Sequence, residues 1–125
     1  MRLLFASLAL LTAAPAFGQD AGQTQFVTTC SACHQVTGQG IKGAFPALAG
    51  DPFVQGDADA VITTVLNGRG GMPSWKADLT DDQIAAAISY VRAAWGNTAP
   101  PVTAAQVAVV RARSAQPVVR SMQAH

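Results

Sequence analysis

The sequence predicts an all-α domain of three or four short helices joined by long loops. Three observations predict it. No segment reads as a paired strand. The segments 57–68 and 80–96 place apolar residues at helical spacing between residues that start and stop helices. The stretches between them are rich in glycine and proline. Loops of roughly 20 residues are unusual inside a compact domain. They become acceptable when they wrap something that is not protein.

The elements follow in order. Residues 1–18, "MRLLFASLALLTAAPAFG", place one Arg ahead of an apolar run from Leu3 to Phe17 that ends in small-residue cleavage patterns. This is the grammar of a secretory signal, and the run is shorter than the roughly 20 residues of a membrane-spanning helix. The mature chain is expected to begin near Phe17 or Gln19. Asp20 to Cys33 reads as the first helix, with Gly22, Phe26 and Cys30 spaced by four on one face. Gln35 to Gly56 holds five glycines and two prolines and is loop, with one short turn of helix around Pro52 to Gln55. In "DADAVITTVLNG" Asp57 is the N-cap, Asp59 complements the helix dipole and Gly68 is the stop. After the loop "RGGMPSWKAD", Thr80 and Gln83 form a capping box for a helix with the stripe Ile84, Ala87, Ile88, Val91 and Trp95, ended by Gly96. A second box, Thr103 to Gln106, opens a short tail helix carrying Val107 and Val110, with fraying expected after Pro117. The chain therefore divides into a signal peptide (1–18), one domain (19–97) and a tail (98–125).

Composition narrows the function. Half of the residues are hydrophobic but only 6% are aromatic, so the core of so small a domain is marginal unless something else fills it. Beyond Gln19 seven cations balance seven acids. The acids dominate up to Asn97, at a net −3, and three arginines give the rest +3. No basic stripe with interleaved aromatics appears, which excludes nucleic acid as a partner.

The two cysteines and one of the two histidines lie together in "CSACH", residues 30–34. Four chemistries compete for such a cluster. A disulfide between Cys30 and Cys33 suits an exported protein. A thioredoxin-like dithiol needs a βαβ context that this chain lacks. Zinc needs four ligands, and only the distant His125 could join the local three. Covalent haem needs C-x-x-C-H in this order: two thiols add across neighbouring vinyl groups, and the next residue brings an imidazole under the ring to the iron. Haem is the strongest reading, with the disulfide its main competitor. A thioether on the iron's other face raises its potential, as in electron-transfer cytochromes. Met72, in "GRGGMPSW", is placed for that role; Gly70 and Gly71 let the backbone approach and Pro73 stiffens the far side. Met122 and His125 are the next choices.

With these residues in view, the stretch from Gly22 to Gly96 resembles a class I c-type cytochrome. The resemblance rests on a helix running into C-x-x-C-H, a proline-bearing loop, a loop with Met-Pro and a final helix. It implies that fold wrapped around one covalent haem c. It also implies thioethers at Cys30 and Cys33, iron ligation by His34 and Met72, and a Pro46 carbonyl that accepts the Nδ1 proton of His34. Gly22 and Phe26 match positions that pack against the aromatic of the last helix, here Tyr90. Ala87 departs from the family's bulky aliphatic, which implies a looser crossing. The helix ending in "SYVRAAWGN" is similar to cytochrome domains that serve periplasmic dehydrogenases.

The expected walls of the haem pocket are Leu48, Val54, Leu66, Trp75, Leu79, Ile84 and Ile88, whereas Tyr90 and Trp95 are expected to pack between helices. Arg69, Lys42 and Trp75 are candidate propionate donors. Ala32, Ala44, Phe45, Met72 and Pro73 are expected at the exposed ring edge. Iron ligated on both faces leaves no position for substrate, so the chain is expected to be no enzyme. The expected function is single-electron transfer in the periplasm between a dehydrogenase and a respiratory acceptor. Alternatives are a subunit fixed within a dehydrogenase or oxidase complex, or a sensor or peroxidase-like protein with a labile Met. Redox proteins are the expected partners, with membranes reached only through their complexes. The basic tail is either a dock for an acidic partner or a solvated end.

Overall fold

The computed structural model describes residues 17–115. The expected signal region up to residue 16, and Pro117, Arg120, Met122 and His125, lie outside them. The described chain is all-α, as the sequence predicts: α1 (Phe17–Thr29), α2 (Ser31–His34), α3 (Pro52–Gln55), α4 (Ala58–Asn67), α5 (Asp81–Ala93) and α6 (Ala104–Ala115). Among the described residues the only β-type pairings are two isolated bridges, Ile41 with Phe45 and Arg69 with Met72.

The expected first helix is interrupted at Cys30, where φ widens to −111° while ψ stays helical at −29°. The turn remains bonded: Cys30 N–H donates to Phe26, and His34 N–H donates to Cys30, at 2.8 and 3.0 Å. The helix starts match the sequence signals. Asp57 accepts from Ala60 N–H at 3.0 Å. Thr80 and Gln83 bond each other reciprocally at 2.9 and 3.2 Å, and Thr103 and Gln106 repeat the arrangement. Each such cap satisfies donors that the first helical turn leaves orphaned.

α5 is the central element, meeting α1 on one side and α4 and α6 on the other. The α1–α5 crossing is close, contrary to the looser contact that Ala87 implied. A Cβ at Gly22 would lie 2.5 Å from the Ala86 carbonyl oxygen and 2.9 Å from Tyr90 Cβ. The side chain missing at Gly22 therefore sets the spacing, while Ala87 faces elsewhere. Beside the crossing Phe26, Tyr90 and Trp95 form an aromatic trio with centroids 5.1–5.6 Å apart. Tilted and edge-on pairs of this kind contribute about 0.5–1.5 kcal/mol each beyond area burial.

A second core joins α4, α5 and α6 around Ile62, Leu66, Ile84, Val102, Val107 and Val110. The segment after Asn97 is part of it. Val107 is fully buried, and Ser89 Oγ exchanges two hydrogen bonds with the Val102 backbone, both 3.0 Å. The tail arginines are engaged too: Arg111 pairs with Asp81 at 2.7 Å and Arg113 with Asp59 at 2.6 Å. Within the described residues the tail is thus a docked helix, and two of the arginines offered for an acidic partner already face carboxylates.

The long loop from Gln35 to Asp51 is tied down by polar groups. Leu48 and Ala49 N–H donate to the Gly38 carbonyl at 2.7 and 2.9 Å. Buried Asn97 donates to Leu48 and Val91 carbonyls at 3.0 and 2.8 Å and accepts from Gly50 N–H at 2.8 Å. One amide side chain thereby fastens the loop to the end of α5.

Candidate functional site

Between the α1–α5 crossing and the two long loops lies a cavity of about 640 Å³, within the roughly 300–1,000 Å³ of small-molecule sites. Its walls are mostly apolar. Six of the seven expected wall residues line the cavity: Leu48, Val54, Trp75, Leu79, Ile84 and Ile88. Leu66 does not. It is fully buried in the α4–α5–α6 core, because its position on α4 turns it away from the loops while Val61 and Val65 face the cavity. Tyr90 and Trp95 stay in the aromatic trio, as expected.

Cys30, Cys33, His34, Pro46 and Met72 all line this one cavity. The break between α1 and α2 sets the first three on its wall. No disulfide joins Cys30 to Cys33. Burial, with Cys33 beside it, pushes the Cys30 thiol up to about 11. His34 is buried, and its Nδ1 lies 2.9 Å from the Pro46 carbonyl oxygen. A carbonyl only accepts, so the contact requires Nδ1–H and leaves the Nε2 lone pair of the neutral ring available to a metal.

Met72 closes the opposite loop. Its N–H and carbonyl pair with Arg69 at 3.0 and 3.2 Å, making a tight turn. Gly70 and Gly71 line the cavity, and the tightest approach to protein atoms in this loop is at Gly68. A Cβ on Gly70 or Gly71 would meet no protein atom within 4 Å, whereas one on Gly68 would sit 2.5 Å from the Met72 carbonyl oxygen, at a φ of +73° that favours glycine. The stop residue of α4 thus also seats the Met72 turn.

Arg69 and Asp51 are the charged residues on the cavity lining. Arg69 stands over the Phe53 ring at 5.4 Å, and Asp51 accepts from Phe53 N–H at 2.7 Å. Of the three candidate propionate donors, Arg69 and Trp75 line the cavity and Lys42 does not; Lys42 faces a separate shallow depression on the 39–47 loop. Ala44, Phe45, Met72 and Pro73 reach the cavity wall, while Ala32 is exposed on α2 away from it.

A flat apolar macrocycle with a metal centre and two thiol-reactive groups fits these residues. The cavity offers a large apolar lining, two neighbouring thiols, an imidazole with one nitrogen already committed and a thioether on a separate loop. Two residues that fasten the elements around the cavity, Arg92 and Asn97, escaped the sequence reading. Both are buried polar groups bonded to backbone carbonyls, and no local pattern marks such a partner.

A family model described as "Cytochrome C oxidase, cbb3-type, subunit III" matches residues 15–91. The chain is 33% identical over 103 residues to the cytochrome c subunit of a quinone-dependent alcohol dehydrogenase from Gluconacetobacter polyoxogenes, covering 72% of this chain and 22% of that protein. It is 34% identical over 108 residues to cytochrome c-552 of Thermus thermophilus, covering 70% of this chain and 82% of that one. The chain thus spans about a fifth of the dehydrogenase subunit but most of the Thermus protein. Among solved structures, cytochrome CL from the marine methylotroph Methylophaga aminisulfidivorans superposes with a TM-score of 0.53 at 28% identity, covering 62% of this chain and 53% of the other.

Proposed function

The chain belongs to the cytochrome c family, and on that premise we propose that it carries single electrons between a periplasmic dehydrogenase and a respiratory acceptor, with iron held by His34 and Met72. Its cofactor is haem c, which when bound supplies a reversible one-electron couple. Cys30 and Cys33 hold it through thioethers, so that it stays with an exported protein at any dilution. His34 would present Nε2 to the iron, because the Pro46 carbonyl keeps the proton on Nδ1. Met72, on a turn seated on Gly68, would offer a thioether donor to the iron. An iron held by both His34 and Met72 would leave no position for substrate. The chain is an electron-transfer protein, not a catalyst.

The observation that carries this reading is the convergence of Cys30, Cys33, His34 and Met72, from two loops far apart in sequence, on one apolar cavity. The apolar rim at Ala44, Phe45, Met72 and Pro73 is the proposed exit for electrons. The relatives named as dehydrogenase subunits favour a second assembly state, in which the chain is fixed within such a complex. Export through residues 1–18 is part of the proposal and is checked by the N-terminal sequence of the mature protein, expected near Phe17 or Gln19. None of the described helices is long and apolar enough to cross a membrane.

An absorption spectrum of the native protein tests the ligand set. Low-spin bands with the weak far-red sulfur-to-iron(III) charge-transfer band are expected. A high-spin, CO-binding ferrous form would favour the sensor or peroxidase-like alternative.

A further inference from the structure

Arg92 is the only buried cation among the described residues, with 3% of its surface exposed. It sits on α5 next to Val91, which lines the cavity. Its Nη1 donates to the Val54 carbonyl at 2.7 Å and the Gly56 carbonyl at 3.1 Å, and its Nε donates to the Pro100 carbonyl at 2.8 Å. Val54 is itself a wall of the cavity, so the guanidinium lies one residue behind that wall.

No carboxylate among the described residues lies within 4 Å of it; the two ion pairs there belong to Arg111 and Arg113. Asp51 and Asp57 flank the segment that Arg92 holds, but their carboxylates cap Phe53 and Ala60 N–H. A guanidinium stays protonated in proteins. The site therefore keeps a full positive charge, answered only by carbonyl dipoles, at a desolvation cost that a neutral fastener would avoid.

We propose that Arg92 is a built-in positive charge that raises the reduction potential of the haem held in the cavity, besides fastening the 54–56 and 100 backbones to α5. The inference rests on haem occupying the cavity, but not on Met72 being its ligand. Reduction places one electron on the iron and lowers its positive charge by one. A fixed cation behind a low-dielectric wall favours the state with less positive charge. Burial also removes it from screening by salt, unlike the exposed Arg69.

The test is a potentiometric titration of haem-loaded Arg92→Gln, Arg92→Met and Arg92→Lys beside the unaltered protein, at low salt and at about 1 M, where the Debye length is about 3 Å. Both neutral variants are expected to shift the reduced-to-oxidised ratio at fixed poise about tenfold toward oxidised, which is 59 mV for one electron. Their low-spin spectrum should be unchanged, and the shift should persist at high salt. Arg92→Lys should stay near the unaltered potential. An unaltered potential in a neutral variant, a shift that vanishes in salt, or one accompanied by loss of the low-spin bands would overturn the proposal. So would failure of both neutral variants to assemble with haem while Arg92→Lys does, since that leaves a purely structural role. A protein with no Soret band at all would instead strike down the haem reading beneath it.

Discussion

The contact between His34 Nδ1 and the Pro46 carbonyl ties the end of α2 to the loop that follows it with one proton. It fixes the tautomer before any metal arrives, so ligation by His34 costs no rearrangement of the ring. Met72 has no such hydrogen-bonded anchor; the turn that carries it is held by backbone pairing with Arg69 and by the crowding at Gly68. Replacing Met72 with Ala should leave the haem attached through Cys30 and Cys33 but open the iron. Its ferrous form should bind CO stoichiometrically and its potential should fall; an unchanged spectrum would move the sixth ligand to another residue. Cys30, Cys33 and His34 stand out in the sequence as a short local pattern, and Met72 through the glycines and proline around it; the structure brings all four to one cavity. Arg92 and Asn97 do not stand out, because their partners are main-chain carbonyls brought together only by the tertiary fold. Leu66 was misplaced for a related reason. Helical spacing shows that Val61, Ile62, Val65 and Leu66 are apolar, but α4 is buried on two sides, and periodicity does not say which side faces the cavity.

At the scale of elements, α6 braces the segment that follows Met72. Arg111 Nε pairs with Asp81 at the start of α5, while its Nη1 and Nη2 donate to the Lys76 and Leu79 carbonyls at 2.5 and 2.9 Å. Leu79 and Trp75 in that segment line the cavity. Arg111→Gln should therefore destabilise the protein by about 1–2 kcal/mol, a value reduced because water reaches the pair. It should also speed CO binding to the ferrous iron, because the loop behind Met72 loosens. Chemical denaturation and CO stopped-flow check the two effects; unchanged values in both would show that α6 does not brace the loop. The helix starts were readable from Asp57, Thr80 and Thr103, since a cap is a local device whose donor and acceptor lie within three residues. That α6 docks, rather than trailing in solvent, depends on Val102, Val107 and Val110 finding α4 and α5. This long-range packing leaves no local trace.

The whole molecule consists of two small apolar clusters on either side of a cavity, and neither alone is a large core. This arrangement answers the scarcity of aromatics: the cofactor's own surface completes the packing. Beyond Gln19 cations and acids balance, and two of the arginines near the tail are paired, so little net charge is left for long-range steering. Reduction by its physiological donor should change in rate by less than about threefold between low salt and about 0.5 M, against the 10–10³-fold range open to steered pairs. A steep fall with ionic strength would show that a charged patch guides docking.

Intact-mass measurement of the native polypeptide, before and after denaturation, tests the central claim most directly. The account predicts a mature chain heavier by one haem that stays bonded in denaturant through Cys30 and Cys33. A bare polypeptide mass, or haem that washes off on unfolding, would contradict it.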